Sequence, residues 1–233
     1  MIEIKKIIIT VIIVVYILIG LLYVFNEDEN FDVMVVSKNS IDYLTVINNL
    51  KEEYNNEDIV GILEIESSEF YTPIVQTIDN EFYLNHTINK EKSIEGSIFL
   101  DYRVNIENSR KLLIYGHSNK NRDYFFNILE NYYDEEYFNN NKYIKLITSS
   151  GERVYEIFSV FVEVSDFSYM NIDYIDEEYL NHINNLKHKS IYETNVEINK
   201  EDEILILQTC STSNEYKDYK NKYLLIVSRR IVK

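Results

Sequence analysis

Glu203-Ile-Leu-Ile-Leu-Gln-Thr-Cys210 runs straight into Ser211-Thr-Ser-Asn-Glu-Tyr216. The first segment reads as an apolar strand and the second as a polar loop, so Cys210 stands where the strand ends. A strand end is a place where a rigid scaffold can present a nucleophile to solvent. Lys111-Leu-Leu-Ile-Tyr-Gly-His117 has the same form, an apolar run closed by polar residues. A cysteine and a histidine are the minimum equipment for thiol acyl transfer: the imidazole holds the thiol ready for attack and then protonates the leaving amine. Far apart in the chain, the two residues alone are a weak signal. His86, His182 and His188 lie in helical or polar surroundings and read as solvated or capping residues.

Further strand signals surround these two runs. They are Ile59-Val-Gly-Ile-Leu-Glu-Ile65, the segment around Pro73, Gly96-Ser-Ile-Phe-Leu-Asp101, Tyr143-Ile-Lys-Leu-Ile-Thr148, the alternating stretch from Arg153 to Val164, and Tyr223-Leu-Leu-Ile-Val-Ser228. Helical spacing shows at Ile41, Leu44, Ile47 and Leu50, predicting an amphipathic helix from Ser40 to about Tyr54, and again at Tyr179, Leu180, Ile183 and Leu186 within 175–189. Residues 123–139, aromatic and acidic, read as one or two short surface helices. Many short strands with a few inserted helices predict a mainly β fold, a barrel or sandwich with helical decorations.

The 233 residues hold one substantial domain with a short appendage. A formal net charge of -16 argues against nucleic-acid binding, which needs a basic face. The appendage is the N-terminus. Lys5 and Lys6 precede an uncharged run from Ile7 to Phe25, and the acidic stretch Asn26–Asp32 follows it. At ~1.5 Å per residue the run spans roughly 28 Å, one hydrocarbon core. Lysines before it and acids after it place the N-terminus in the cytoplasm and the body outside. A cleavable signal peptide would have a shorter apolar region and a small-residue cleavage site, and none appears. The expected layout is therefore a cytoplasmic segment 1–6, a single-pass membrane anchor 7–25, a juxtamembrane stretch 26–37 and an extracellular domain 38–233.

That topology bears on the single cysteine. An exported domain with one cysteine forms no internal disulfide. Most free cysteines are small buried hydrophobes; the strand-end position of Cys210 argues instead for a reactive thiol.

The wording around these residues is more specific than any single motif. Thr72-Pro-Ile-Val-Gln76, Asp79-Asn-Glu-Phe-Tyr-Leu84, Gly96-Ser-Ile-Phe-Leu-Asp101, Ile114-Tyr-Gly-His-Ser-Asn119, Lys187-His-Lys-Ser-Ile-Tyr192 and Ile206-Leu-Gln-Thr-Cys210 follow one another in order. From Val60 to its end the chain resembles the class B sortases. The resemblance implies an eight-stranded β-barrel with N-terminal helices and a helix before the cysteine-bearing strand. It also implies a membrane-anchored cysteine transpeptidase with no cofactor and no metal. Cys210 would attack the Thr carbonyl of a C-terminal sorting signal on a secreted protein, and His117 would protonate the departing amine. The resulting thioester would be resolved by an amino group of a peptidoglycan precursor or cross-bridge. Asn80, Leu84, Tyr115, Tyr169, Met170 and Thr209 would line the groove for the signal peptide.

One position departs from the family, which places an arginine at the start of the last strand, where it can stabilise an oxyanion. Here that position is Lys222. If the last two strands are antiparallel neighbours, Arg229 lies seven residues further on, roughly 23 Å away at ~3.3 Å per residue, so Lys222 is the better candidate. Lysine supplies charge without the planar fork of arginine. Two other readings stay open: a pilin-polymerising sortase using a pilin lysine as acceptor, and a catalytically impaired sortase-like domain that only binds the peptide.

Overall fold

A computed structural model describes residues 41–119 and 125–231. The expected anchor Ile7–Phe25 and its flanks lie outside these residues. Among the described residues no helix is long and apolar enough to cross a membrane.

Eight strands close into a barrel: β1 (Ile59–Ile65), β2 (Tyr71–Val75), β3 (Phe99–Leu100), β4 (Lys111–Tyr115), β5 (Tyr143–Thr148), β6 (Gly151–Glu163), β7 (Ile204–Cys210) and β8 (Tyr223–Arg230). Their order around the barrel is β1-β2-β3-β4-β7-β8-β6-β5, and β5 pairs back onto β1. The β2–β3 and β4–β7 pairings are parallel, while β7–β8 is antiparallel. Of the barrel and the sandwich that the strand pattern allowed, the chain forms the barrel.

Alternation along each strand splits the core into two. Leu112 and Ile114 of β4, Leu205 and Leu207 of β7, and Leu224 and Ile226 of β8 join side chains from the other strands in one buried cluster. Leu113, Ile204, Ile206, Leu225 and Val227 point the other way, into a second cluster with Tyr179, Ile183 and Leu186. Both faces of β7 are thus buried, which explains its unbroken aliphatic run.

Among the described residues three α-helices decorate the barrel: α1 (Tyr43–Tyr54), α2 (Glu135–Asn140) and α3 (Asp176–His188). The first begins later than Ser40 because Asp42 caps it, accepting bonds from the Thr45 amide (3.3 Å) and hydroxyl (2.6 Å). Its buried stripe is narrow: Ile47 is buried whereas Leu44 is exposed. In α3, acids fill the first turn and Lys187 and His188 the last, complementing the helix dipole.

Two expectations are corrected. Residues 125–133 form a tight 3-10 helix that is not a surface element, since Phe126, Leu129 and Tyr132 are fully buried in the barrel cluster. Their spacing of three matches three residues per turn, which aligns all three side chains on one face. His182 is neither solvated nor a cap. It is buried on α3, stacked on Tyr174, with Nε2 2.8 Å from Lys111 Nζ.

Candidate active site

The parallel β4–β7 pair brings Cys210 and His117 to one edge. Tyr115 lies opposite Gln208 in register, and Gly116 N–H donates to the Gln208 carbonyl at 3.2 Å. Both strands run the same way, so the residues that follow them emerge side by side. Thr209 Oγ1 donates to the Gly116 carbonyl at 2.8 Å, tying the two strand ends together. Cys210 and His117 then line one groove of about 320 Å³ with Asn80, Leu84, Tyr115, Met170 and Thr209. Its remaining walls include Phe99, Arg103, Gln208 and Tyr223. Tyr169 is not on the groove surface. It is buried behind it, where its hydroxyl donates to Gln208 Oε1 at 2.7 Å.

His117 is held by the short 3-10 helix Phe82–Leu84. Its Nε2 lies 2.7 Å from the Leu84 carbonyl, an acceptor only, so this nitrogen carries the hydrogen. The helix in turn folds over Gly96, whose φ is +62°. A Cβ there would stand 2.6 Å from the Tyr83 carbonyl and 2.8 Å from that of Leu84. Glycine therefore lets this wall close to the distance His117 needs.

The loop after Cys210 is pinned at successive residues. Ser211 N–H donates to the Lys222 carbonyl at 2.9 Å, and Ser211 Oγ bonds Tyr133 Oη at 2.8 Å. Thr212 donates its amide and hydroxyl to the two Glu130 oxygens at 2.9 and 2.8 Å. Ser213 N–H donates to Ser211 Oγ at 3.2 Å. All three amides after the cysteine are thus occupied, and none remains to receive an oxyanion.

Cys210 is solvent-exposed, yet burial of its thiol pushes the pKa above the ordinary value; Glu130 adds to this and Lys222 opposes it. Lys222 therefore sits close enough to act electrically on the sulfur. Arg229 does not: β7 pairs Cys210 with Tyr223 but Ile204 with Arg229, at the opposite end of the strand. Arg229 makes an ion pair with Glu156 instead.

At the foot of the groove Asp101 is fully buried. It accepts Tyr115 Oη at 2.7 Å and takes Arg103 Nε and Nη2 at 2.9 and 2.7 Å. Burial alone would raise this carboxyl, but the bonds from Arg103 and Tyr115 outweigh it and hold it below the usual range. Burial, then the Asp101 charge, raise the Tyr115 phenol far above its ordinary value.

A family model described as a sortase domain matches residues 63–230. Sortase B of Listeria monocytogenes is 32% identical over 180 residues, covering 76% of this chain and 72% of that protein. The chain belongs to the sortase family. The crystal structure of Clostridium perfringens sortase B superposes with a TM-score of 0.71 at 32% identity, covering 79% of this chain and all but 1% of that one (99%). The Staphylococcus aureus sortase B–substrate complex gives 0.73 at 26% identity, over 85% and 90% of the two chains. This is a sortase of class B, a cysteine transpeptidase.

Phe99, Gln208 and Tyr223 line the groove of this sortase without having been named as site residues from the sequence, and Arg103 and Glu130 escaped it altogether. Arg103 stands two positions beyond the quoted Gly96–Asp101 segment, and nothing in its spacing marks it. Glu130 sits in the segment expected on the surface, so its bonds to Thr212, 82 residues away, leave no local trace.

Proposed function

We propose that this sortase joins a secreted protein bearing a C-terminal sorting signal to an amino group of the cell wall, through a thioester on Cys210. In this reading Sγ attacks the carbonyl carbon of the signal's Thr. The oxyanion forms beside the Lys222 cation. His117 gives its proton to the departing amine, the peptide C–N bond breaks, and the acyl group stays on sulfur. An amine of a peptidoglycan precursor or cross-bridge enters the same groove and gives a proton to His117 as it attacks. The C–S bond breaks and a new amide leaves.

The observation that carries this reading is the convergence of Cys210 and His117 at the matched ends of parallel β4 and β7, in one groove of about 320 Å³. A raised thiol pKa fits a thiol that is protonated at rest and passes its proton to His117 as it attacks; when the C–S bond breaks, His117 returns to sulfur the proton it took from the incoming amine. The Ile7–Phe25 run would anchor the enzyme with its catalytic domain outside the membrane, beside exported clients and wall precursors.

The test is acylation. Wild-type protein incubated with sorting-signal peptides is expected to gain the mass of the acyl fragment on Cys210, discharged by added amine. Cys210→Ala and His117→Ala are both expected to lose it. Peptide binding without acylation of the wild type would instead favour a binding domain, a reading that rests on lysine at position 222.

A further inference from the structure

Away from the groove, the segment between α3 and β7 builds a braced wall that the reaction just described does not use. Every second residue of it is pinned. Tyr192 Oη donates to the Tyr132 carbonyl at 2.9 Å and Thr194 Oγ1 to the Phe158 carbonyl at 3.0 Å, while the Val196 carbonyl accepts Lys187 Nζ at 2.6 Å. Glu193, Asn195 and Glu197 alternate with these and are exposed. With α2, β6 and β8 this wall borders a cavity of about 420 Å³. Tyr192 to Asn195 also border a second cavity of about 530 Å³, whose other side is α3. In the first, Arg229 of β8 is mostly buried, and its ion pair with Glu156 spans 3.5 Å. Its guanidinium makes no hydrogen bond among the described residues, and even its buried Nε has no partner there. The side chains of Asn139, Lys142, Glu193 and Asn195 line the same cavity and likewise make no hydrogen bond among the described residues.

We propose that these two adjoining cavities bind an N-acetylhexosamine glycan, the sugar polymer of the wall that carries the acceptor amine. For the source of the glycan this rests on the transpeptidase reading. The lining mixes donors, on Arg229 and Lys142, with acceptors, on Glu156 and Glu193, and the amides of Asn139 and Asn195 supply both. A sugar hydroxyl donates and accepts, and an acetamido group carries one donor and one acceptor, so such a ligand satisfies either kind of partner. An anion would meet the carboxylates of Glu135, Glu193 and Glu197, and a cation would leave Arg229 and Lys142 unsatisfied. Tyr192 borders both cavities and is stacked on Phe138, with ring centroids 4.5 Å apart, so it offers a fixed apolar body to the C–H face of a sugar ring. The pinned wall is formed before any ligand arrives, which spares the cost of ordering it. Two cavities that share one wall suit successive units of a polymer. Arg229 stands six residues along β8 from Tyr223, the partner of Cys210, roughly 20 Å away at ~3.3 Å per residue. A peptide branch of about six extended residues covers that distance. A glycan held here leaves the groove open while the amine on its branch reaches the thioester.

The test titrates the full chain, in a detergent without sugar headgroups, with chitotetraose, a β-linked tetramer of N-acetylglucosamine. Maltotetraose, which lacks the acetamido groups, and a tetra-alanine peptide are titrated alongside, and calorimetry reads the binding. Chitotetraose is expected to bind, and to bind tighter than either. Asn139→Ala with Asn195→Ala removes two exposed amides and should weaken it about tenfold or more, the range for two lost hydrogen bonds. Arg229→Met with Glu156→Gln, which leaves no unpaired charge, should weaken it by about as much. Melting temperature checks that each variant is folded. In acyl transfer from a sorting peptide, the ratio of product on insoluble wall to product on a soluble amine should fall about fivefold or more in the Asn variant. The inference is overturned if chitotetraose does not bind up to its solubility limit, if the peptide binds tighter than the sugar, or if a folded variant keeps the wild-type affinity. Acylation of wild-type Cys210 is scored separately: if it fails while chitotetraose binds and the variants weaken it, the transpeptidase reading falls and the glycan site stands.

Discussion

Tyr115 of β4 lies directly opposite Gln208 of β7 in a parallel ladder, and the placing of the candidate catalytic pair, His117 and Cys210, depends on that register. His117 and Cys210 each stand two residues past those partners. Gly116 occupies the step between Tyr115 and His117, and a Cβ on it would lie 2.7 Å from the ring of Phe126, which is fully buried and cannot yield. Gly116→Ala is therefore expected to destabilise the protein by about 1–3 kcal/mol through overpacking. By displacing His117 it should also slow acylation by up to about 10²-fold. Urea unfolding and single-turnover acylation measure the two effects; an acylation rate unchanged from wild type would show that the strand end tolerates the shift.

Lys222 is the next test, because Ser211, Thr212 and Ser213 have all committed their amides elsewhere. With those three amides taken, the oxyanion of the proposed reaction falls to the side-chain cation. Lys222→Met is expected to lower kcat by about 10²–10³, the range for one oxyanion donor, with little change in KM. Lys222→Arg should retain activity, since it keeps the charge and adds a planar fork. Lys222 also holds the Cys210 pKa down against burial and Glu130. The pH midpoint for iodoacetamide labelling of Lys222→Met should accordingly move up.

Glu130 should move the same midpoint the other way. Its carboxylate raises the Cys210 pKa, so Glu130→Gln is expected to label faster at neutral pH, with the midpoint shifted down. A more available thiolate should not make a better enzyme. Glu130 also clamps Thr212 through both oxygens, and the amide of Gln can accept only at its one oxygen. Peptide acylation is expected to slow while labelling speeds up. Glu130→Ala should in addition cost about 1–2 kcal/mol of stability, the lower part of the range for bonds to a charged group, because the clamp is partly exposed. Labelling and acylation that rise together would show that the clamp plays no part in positioning.

What could be read from the chain alone was whatever is local or periodic. The aliphatic run before Cys210, the spacing within 175–189 and the apolar run before His117 each located an element within a residue or two. Pairing partners carry no such mark. Nothing in Lys111–Tyr115 says that its neighbour is β7 or that the pairing is parallel. Buried polar contacts were equally silent: Lys111 and His182 meet across 71 residues, and each alone looks like a surface group. The helix at 125–133 failed for a different reason. Acidic and tyrosine-rich composition suggested solvent, while its period of three placed Phe126, Leu129 and Tyr132 in the barrel.

The Lys111–His182 contact makes the fold itself pH-dependent. Lys111 Nζ is buried between the Asn171 carbonyl at 2.7 Å and His182 Nε2 at 2.8 Å. Burial, and next the Arg103 charge, bring its pKa down to about 7. An unfolded lysine keeps its proton to about pH 10. Between about pH 7 and 10 the unfolded chain therefore binds the extra proton, and stability should rise with pH by at most about 1.4 kcal/mol per unit. His182 is lowered to about 3 by burial and then by Lys111, which adds a separate rise between about pH 3 and 6.5. Above about pH 10 the trend should reverse, because buried phenols such as Tyr115, Tyr132 and Tyr155 hold their protons longer when folded. Lys111→Met keeps most of the apolar stem and removes the titrating group. Urea midpoints at pH 7, 8, 9 and 10 should climb for the wild type and stay level for Lys111→Met. A wild-type slope that survives the substitution would assign the rise to other groups.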